Sequence, residues 1–131
     1  MKRLTIILLA VLLQTLGTAR AGDGIQEAIS NTPVLIAAGK YALTGWNTTG
    51  LATGPTYLHF YDAASTGAVT VGTTPQVYEI SVPQTGATIE YPGPVHTFQN
   101  GIVVAATTSP LSSGSTAPST ALLVQLQWTQ Q

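Results

Sequence analysis

His59, Asp62 and Ser65 are the residues whose types could assemble into chemistry, because an imidazole set between a carboxylate and a hydroxyl is the machinery of acyl transfer. Their spacing argues against it. His59 and Asp62 stand three apart in a run, Tyr57 to Asp62, that alternates like a strand, so they fall on opposite faces, and no glycine-flanked elbow presents a serine. The expected roles are a solvent-facing histidine on a half-buried strand and a turn-forming aspartate. His96 is the second histidine, and with the scattered carboxylates it makes no HxxxH pair and no acidic calcium loop. No metal and no cofactor are therefore expected. Glu79 and Glu90 lie on neighbouring predicted strands and are the one carboxylate pair that could serve glycoside hydrolysis, with two solvated glutamates as the simpler account. The chain is not expected to be an enzyme. A small secreted hydrolase built on His59, Asp62 or the two glutamates is the last of three readings.

The aromatic residues offer a different chemistry. Tyr57, His59 and Tyr61 alternate onto the face opposite Leu58 and Phe60, and together with Trp46 and Tyr41 they would form a flat stacking platform. Such a face suits a sugar ring or a partner subunit. Trp46, Tyr57, His59 and Tyr61 are accordingly the candidate ligand-binding residues, against the competing account that they serve packing and cross-strand pairing. Asn47-Thr48-Thr49 matches the N-glycosylation triplet, which carries information only in a secretory pathway that holds the enzyme.

The elements that must position these residues read as strands. Short runs of β-branched and aromatic residues, separated by Gly, Pro, Asn and Ser clusters, predict strands over 34–38, 40–46, 57–62, 77–82, 88–91, 102–107 and 121–128, with a weak one over 68–71. Leu58 and Phe60, then Tyr78, Ile80 and Val82, then Ile102 and Val104, then Leu122, Val124, Leu126 and Trp128 share faces and are the predicted core. An all-β, antiparallel two-sheet β-sandwich, jelly-roll or Ig-like, of about seven to eight strands follows, with a closed barrel as the alternative. Pro83, Pro92 and Pro94 flank the 88–91 segment and predict a short edge strand there, where a missing amide donor costs least. Residues 108–120, rich in Ser and Thr, predict a long exposed loop.

The N-terminus adds a compartment. Lys2 and Arg3 precede an apolar run from Leu4 to Leu13, and Ala19-Arg20-Ala21 closes with the small-x-small pattern that signal peptidase cuts, before Gly22. The apolar run is about half of the ~20 residues needed to span a bilayer, so a cleaved signal is expected and no stable membrane insertion afterwards. The predicted organisation is a signal peptide over 1–21, an N-terminal arm or short helical turn over 22–32 and a β-sandwich over 33–131. The expected location is the periplasm, the cell surface or the exterior.

Cleavage removes Lys2, Arg3 and Arg20 and leaves Lys40 alone against five carboxylates, a formal charge of −4. One lysine cannot neutralise a row of phosphates, so nucleic acid is excluded as a partner. Cysteine is absent, which removes disulfides, thiol catalysis and thiolate zinc sites and leaves packing and backbone hydrogen bonding to stabilise the fold.

Tyr57-Leu58-His59-Phe60-Tyr61-Asp62-Ala63-Ala64 resembles the aromatic-led strand of a small β-sandwich domain found in tailed-phage virion proteins and related prophage-encoded proteins. Val71-Gly72-Thr73-Thr74-Pro75 followed by Tyr78 to Pro83, and the glycine-entered strand Asn100 to Thr108, are similar to later parts of the same domain. The resemblance implies a structural or attachment role in a particle and no catalytic residues. The expectation is therefore a non-enzymatic exported module that works by self-assembly as a homo-oligomer or by attachment to a surface partner, virion-like if prophage-encoded. A carbohydrate-binding module using the exposed aromatics is the alternative.

Overall fold

The computed structural model describes residues 26–49, 53–85, 87–90 and 93–131. The signal-like segment, with Ala19, Ala21 and Gly22, lies outside the described residues. Among the described residues no helix is long and apolar enough to cross a membrane. Nine strands are present there: β1 (Gln26–Ile29), β2 (Val34–Ala38), β3 (Tyr41–Thr49), β4 (Thr56–Asp62), β5 (Tyr78–Val82), β6 (Ala87–Glu90), β7 (His96–Phe98), β8 (Gly101–Thr107) and β9 (Leu122–Gln130). All pair antiparallel. Sheet A runs β1-β9-β3-β6 with β7 also on β3, and sheet B runs β2-β8-β4-β5.

The pairing is nested. β4 joins β5, β3 joins β6, β2 joins β8 and β1 joins β9, so the chain is one long two-stranded ribbon rolled into two sheets. That order is a jelly roll, and it decides between the two sandwich types and against the barrel. As predicted, β6 stands at a sheet edge, bonded to β3 alone.

Alternation fills the space between the sheets. Leu122, Val124, Leu126 and Trp128 of β9 meet Leu58 and Phe60 of β4, Ile80 and Val82 of β5, and Ile102, Val104 and Ala106 of β8 in one buried cluster. One margin of the sandwich is closed by rings from both sheets. Tyr78 of β5 stacks on His96 of β7 at 5.6 Å and lies 5.9 Å from Phe60, while His96 meets Phe98 edge-on at 4.9 Å. Strand β8 is buried along its whole length, because Val103 and Ala105 face away from the core into a second cluster with Tyr61 and Val69. A continuous apolar run is what a strand covered on both faces requires.

Three local expectations change. Residues 26–29 form neither a helical turn nor a loose arm but β1, held by β9 through four register pairs. The weak strand over 68–71 is absent: Thr66–Ala68 is a 3₁₀ turn, and Val69 and Val71 plug the second cluster. Strand β7, three residues long, has no counterpart in the predicted set.

Candidate functional site

The predicted stacking platform does not form. Trp46 is 4% exposed and sits in the inter-sheet core, edge-on to Tyr78 at 6.5 Å, while Tyr57, His59 and Tyr61 occupy the outer face of sheet B. Trp46 belongs to sheet A and the other three to sheet B, so the four share no outer face, and a β-bulge between Leu43 and Gly45 in the pairing of β3 with β9 turns Trp46 inward. One extra residue reverses the phase of a strand, so Leu43 and Trp46 both turn inward although they stand three apart.

His59 is also corrected. It is 0% exposed rather than solvent-facing, because the 108–120 segment folds back as a strap across the outer face of sheet B. The strap is tied at many points. Thr108 N–H donates to the Thr116 carbonyl at 3.0 Å, and Asn31 Nδ2 to the Ser115 carbonyl at 3.0 Å. Gln76 Nε2 donates to the Pro110 carbonyl at 3.0 Å and to Glu79 Oε2 at 2.9 Å. Gly72, at φ +86°, lies so close to the strap that a Cβ there would stand 2.9 Å from Ser115 Cβ.

His59 Nε2 lies 2.8 Å from the Ser109 carbonyl oxygen and 3.3 Å from Thr107 Oγ1. A carbonyl only accepts, so the proton sits on Nε2 and Nδ1 is the bare nitrogen. Nδ1 is buried with no hydrogen-bond partner among the described residues. Burial holds the His59 pKa below its ordinary 6.5, opposed by the Ser109 carbonyl and by the Glu79 carboxylate across the strand pair. A neutral imidazole bonded to a main-chain carbonyl under a strap is a fastener.

A pH dependence follows from that arrangement. Below about pH 6.5 the unfolded chain takes up a proton at residue 59 that the folded chain refuses, so this contribution is complete above that pH and declines as pH falls toward the lowered folded value. Melting temperatures taken from pH 8 down to pH 5 are expected to fall, and to fall less in His59→Gln. Equal slopes for the two proteins would contradict it.

Asp62 turns away from His59 and secures the β7–β8 connection, which passes from sheet A to sheet B. Its Oδ1 accepts from the backbone amides of Gln99 at 3.0 Å, Asn100 at 2.7 Å and Gly101 at 3.3 Å, and its Oδ2 accepts from Gln99 at 3.0 Å. Partial burial pushes the carboxyl pKa up, but those amides and the Asn100 side chain outweigh it and hold the group below 3.8. The aspartate does bind a turn, as its sequence position suggests. Ser65 stands exposed before the 3₁₀ turn, so histidine, aspartate and serine do not meet.

The glutamates are separated as well. Glu79 pairs with His59 in sheet B, whereas Glu90 stands opposite Gly45 in sheet A. The expectation that they occupy neighbouring strands is therefore overturned, because the ribbon sends β5 and β6 to different sheets. Among the described residues no group of three or more His, Cys, Asp or Glu is placed to hold a metal ion.

Two surfaces remain. A cleft of about 330 Å³ opens beside the turn that Asp62 clamps, bordered by Tyr61, Asp62, Pro75, Val77 and Asn100 among others. Tyr61 is 1% exposed, its hydroxyl has no hydrogen-bond partner among the described residues, and burial raises its pKa. The other surface is the outer face of sheet A, where Asn47 pairs with Gln125 and Thr49 with Leu123, all four exposed. The contrast with sheet B is sharp: there Val103, Ala105, Thr107, His59 and Tyr61 are all buried under the strap and the 63–77 segment.

Comparison with protein-family models, with curated proteins and with solved structures finds no match for the chain, so its function has to be read from its own residues.

Proposed function

We propose that this chain is a non-enzymatic, exported jelly-roll module that works by association of identical copies through the open face of sheet A. The observation that carries this reading is the asymmetry of the two outer faces. Sheet B is roofed by its own chain, while Asn47, Thr49, Leu123 and Gln125 of sheet A stand exposed in adjacent cross-strand pairs.

The chemistry of that face suits a second copy. The exposed side chains at these four positions are uncharged, and the amides of Asn47 and Gln125 both donate and accept. Leu123, 37% exposed, adds an apolar contact in the same patch. The residues that could have carried catalysis are committed elsewhere: His59 to the strap, Asp62 to the β7–β8 turn. Jelly rolls serve in capsids and in lectins, an analogy of fold that fits the virion-like resemblance of the Tyr57 to Ala64 strand without assigning a function.

Two copies that meet through the same patch are related by a two-fold axis and close as a dimer, whereas a ring or trimer would need a second patch. Sedimentation of the protein exported from a Gram-negative host, over a wide concentration range, is expected to give one defined oligomer. A monomer throughout would refute the assembly reading.

A further inference from the structure

We infer that the cleft beside Asp62 is a binding site for a single uncharged sugar ring, held by Asp62 and Asn100 against the apolar wall of Pro75 and Val77. The site differs in place and residues from an aromatic platform. Three observations converge on it.

The first is a fixed acceptor. Backbone amides of three successive residues, Gln99, Asn100 and Gly101, with the Asn100 side chain beside them, lock the Asp62 carboxylate in place and keep it ionised, and of those backbone amides Oδ2 receives only that of Gln99. A carboxylate oxygen accepts more than one hydrogen bond, so Oδ2 has capacity for a ligand hydroxyl. The second is the neighbouring side-chain amide of Asn100, exposed and also a wall of the cleft, which beside its bond to Asp62 keeps a second N–H and a carbonyl oxygen. A rigid acceptor next to a donor and acceptor matches adjacent hydroxyls on a ring, each of which donates and accepts.

The third is the rest of the wall. Pro75 and Val77 give an apolar surface for the C–H face of a ring, and Val77 is 44% exposed before any ligand covers it. The cleft, about 330 Å³, lies at the small end of ligand sites and admits one ring rather than a chain of them. A cationic ligand fits less well. The Asp62 charge is already met by amide donors, and no second carboxylate borders the cleft.

The inference does not rest on the assembly reading: a monomer that binds sugar here would leave it standing. The test is amide chemical-shift titration of the isotope-labelled mature chain with methyl α-D-glucopyranoside, methyl α-D-mannopyranoside, methyl β-D-galactopyranoside and N-acetylglucosamine, with methylammonium chloride alongside. At least one sugar is expected to shift the amides of residues 62–64, 74, 76, 77 and 99–101 saturably in the millimolar range. Asn100→Ala, at an exposed position, is expected to weaken that sugar roughly tenfold while leaving the folded spectrum intact, and Val77→Ala to weaken it by a smaller factor. No saturable shift with any of the four sugars, shifts centred elsewhere, or a response to methylammonium equal to that of the sugars would overturn it.

Discussion

Gly101→Ala is expected to destabilise the fold by about 3 kcal/mol and to lower Tm by roughly 10–20 °C. Gly101 opens β8 at the point where β2, the end of β4 and the β7–β8 turn converge. A Cβ there would stand 2.5 Å from the carbonyl oxygen of Ala63 and 2.7 Å from that of Ala37. Both obstacles are backbone, so neither can rotate aside as a side chain would. The Gly101 carbonyl accepts the Ala63 amide at 3.2 Å, and the neighbouring Gly39 amide donates to the Asn100 carbonyl at 2.8 Å, which fixes the crowded geometry from two sides. Relief of the clash must move β2 or the chain after β4 and so loosen the Asp62 clamp. Thermal unfolding by circular dichroism checks it, and a loss below about 1 kcal/mol would mean that the two carbonyls are free to retreat.

Leu126→Ala is expected to cost roughly 2–5 kcal/mol, whereas Ser113→Ala stays within about half a kcal/mol. Leu126 is fully buried in the middle of β9, which is paired on one side with β1 and on the other with β3. Its surroundings come from both sheets and cannot all relax into the space left by the missing methyl groups. Ser113 is exposed on the strap, and its side chain makes none of the strap's described ties. Denaturant unfolding of the two variants separates them, and near-equal midpoints would contradict the placement of β9 at the centre of sheet A.

Much of the fold was legible in the sequence because burial leaves a period. β9 alternates Leu122, Val124, Leu126 and Trp128 against polar or less buried neighbours, and β8 is apolar along its length because both of its faces are covered. All seven strongly predicted strands are present. The elements that escaped are those whose strand state comes from a partner. Gln26–Ile29 and His96–Phe98 are too short to show a period and become strands by pairing with β9 and β3.

The candidate site was less legible, for two physical reasons. Alternation correctly set Tyr57, His59 and Tyr61 on the face opposite Leu58 and Phe60, but nothing in that strand signals a strap arriving from fifty residues away to bury His59. Trp46 shares no face with them because β3 and β4 lie in different sheets, and a bulge of one residue at Thr44 turns it inward; neither leaves a mark in the apolar pattern. The Asp62 clamp had a partial signal. An aspartate at the end of a strand suggests a turn, but the turn it binds is Gln99 to Gly101 rather than its own.

The central claim, association of copies through the open face of sheet A, is tested most directly by light scattering with intact mass on protein exported from a Gram-negative host, comparing the native chain with Gln125→Lys. Gln125 is exposed at the middle of that face, so a lysine there brings like charges together only when copies meet. The account predicts a defined oligomer for the native chain and a monomer of unchanged melting temperature for the variant. A native monomer, or an oligomer whose mass the substitution leaves unaltered, would contradict it.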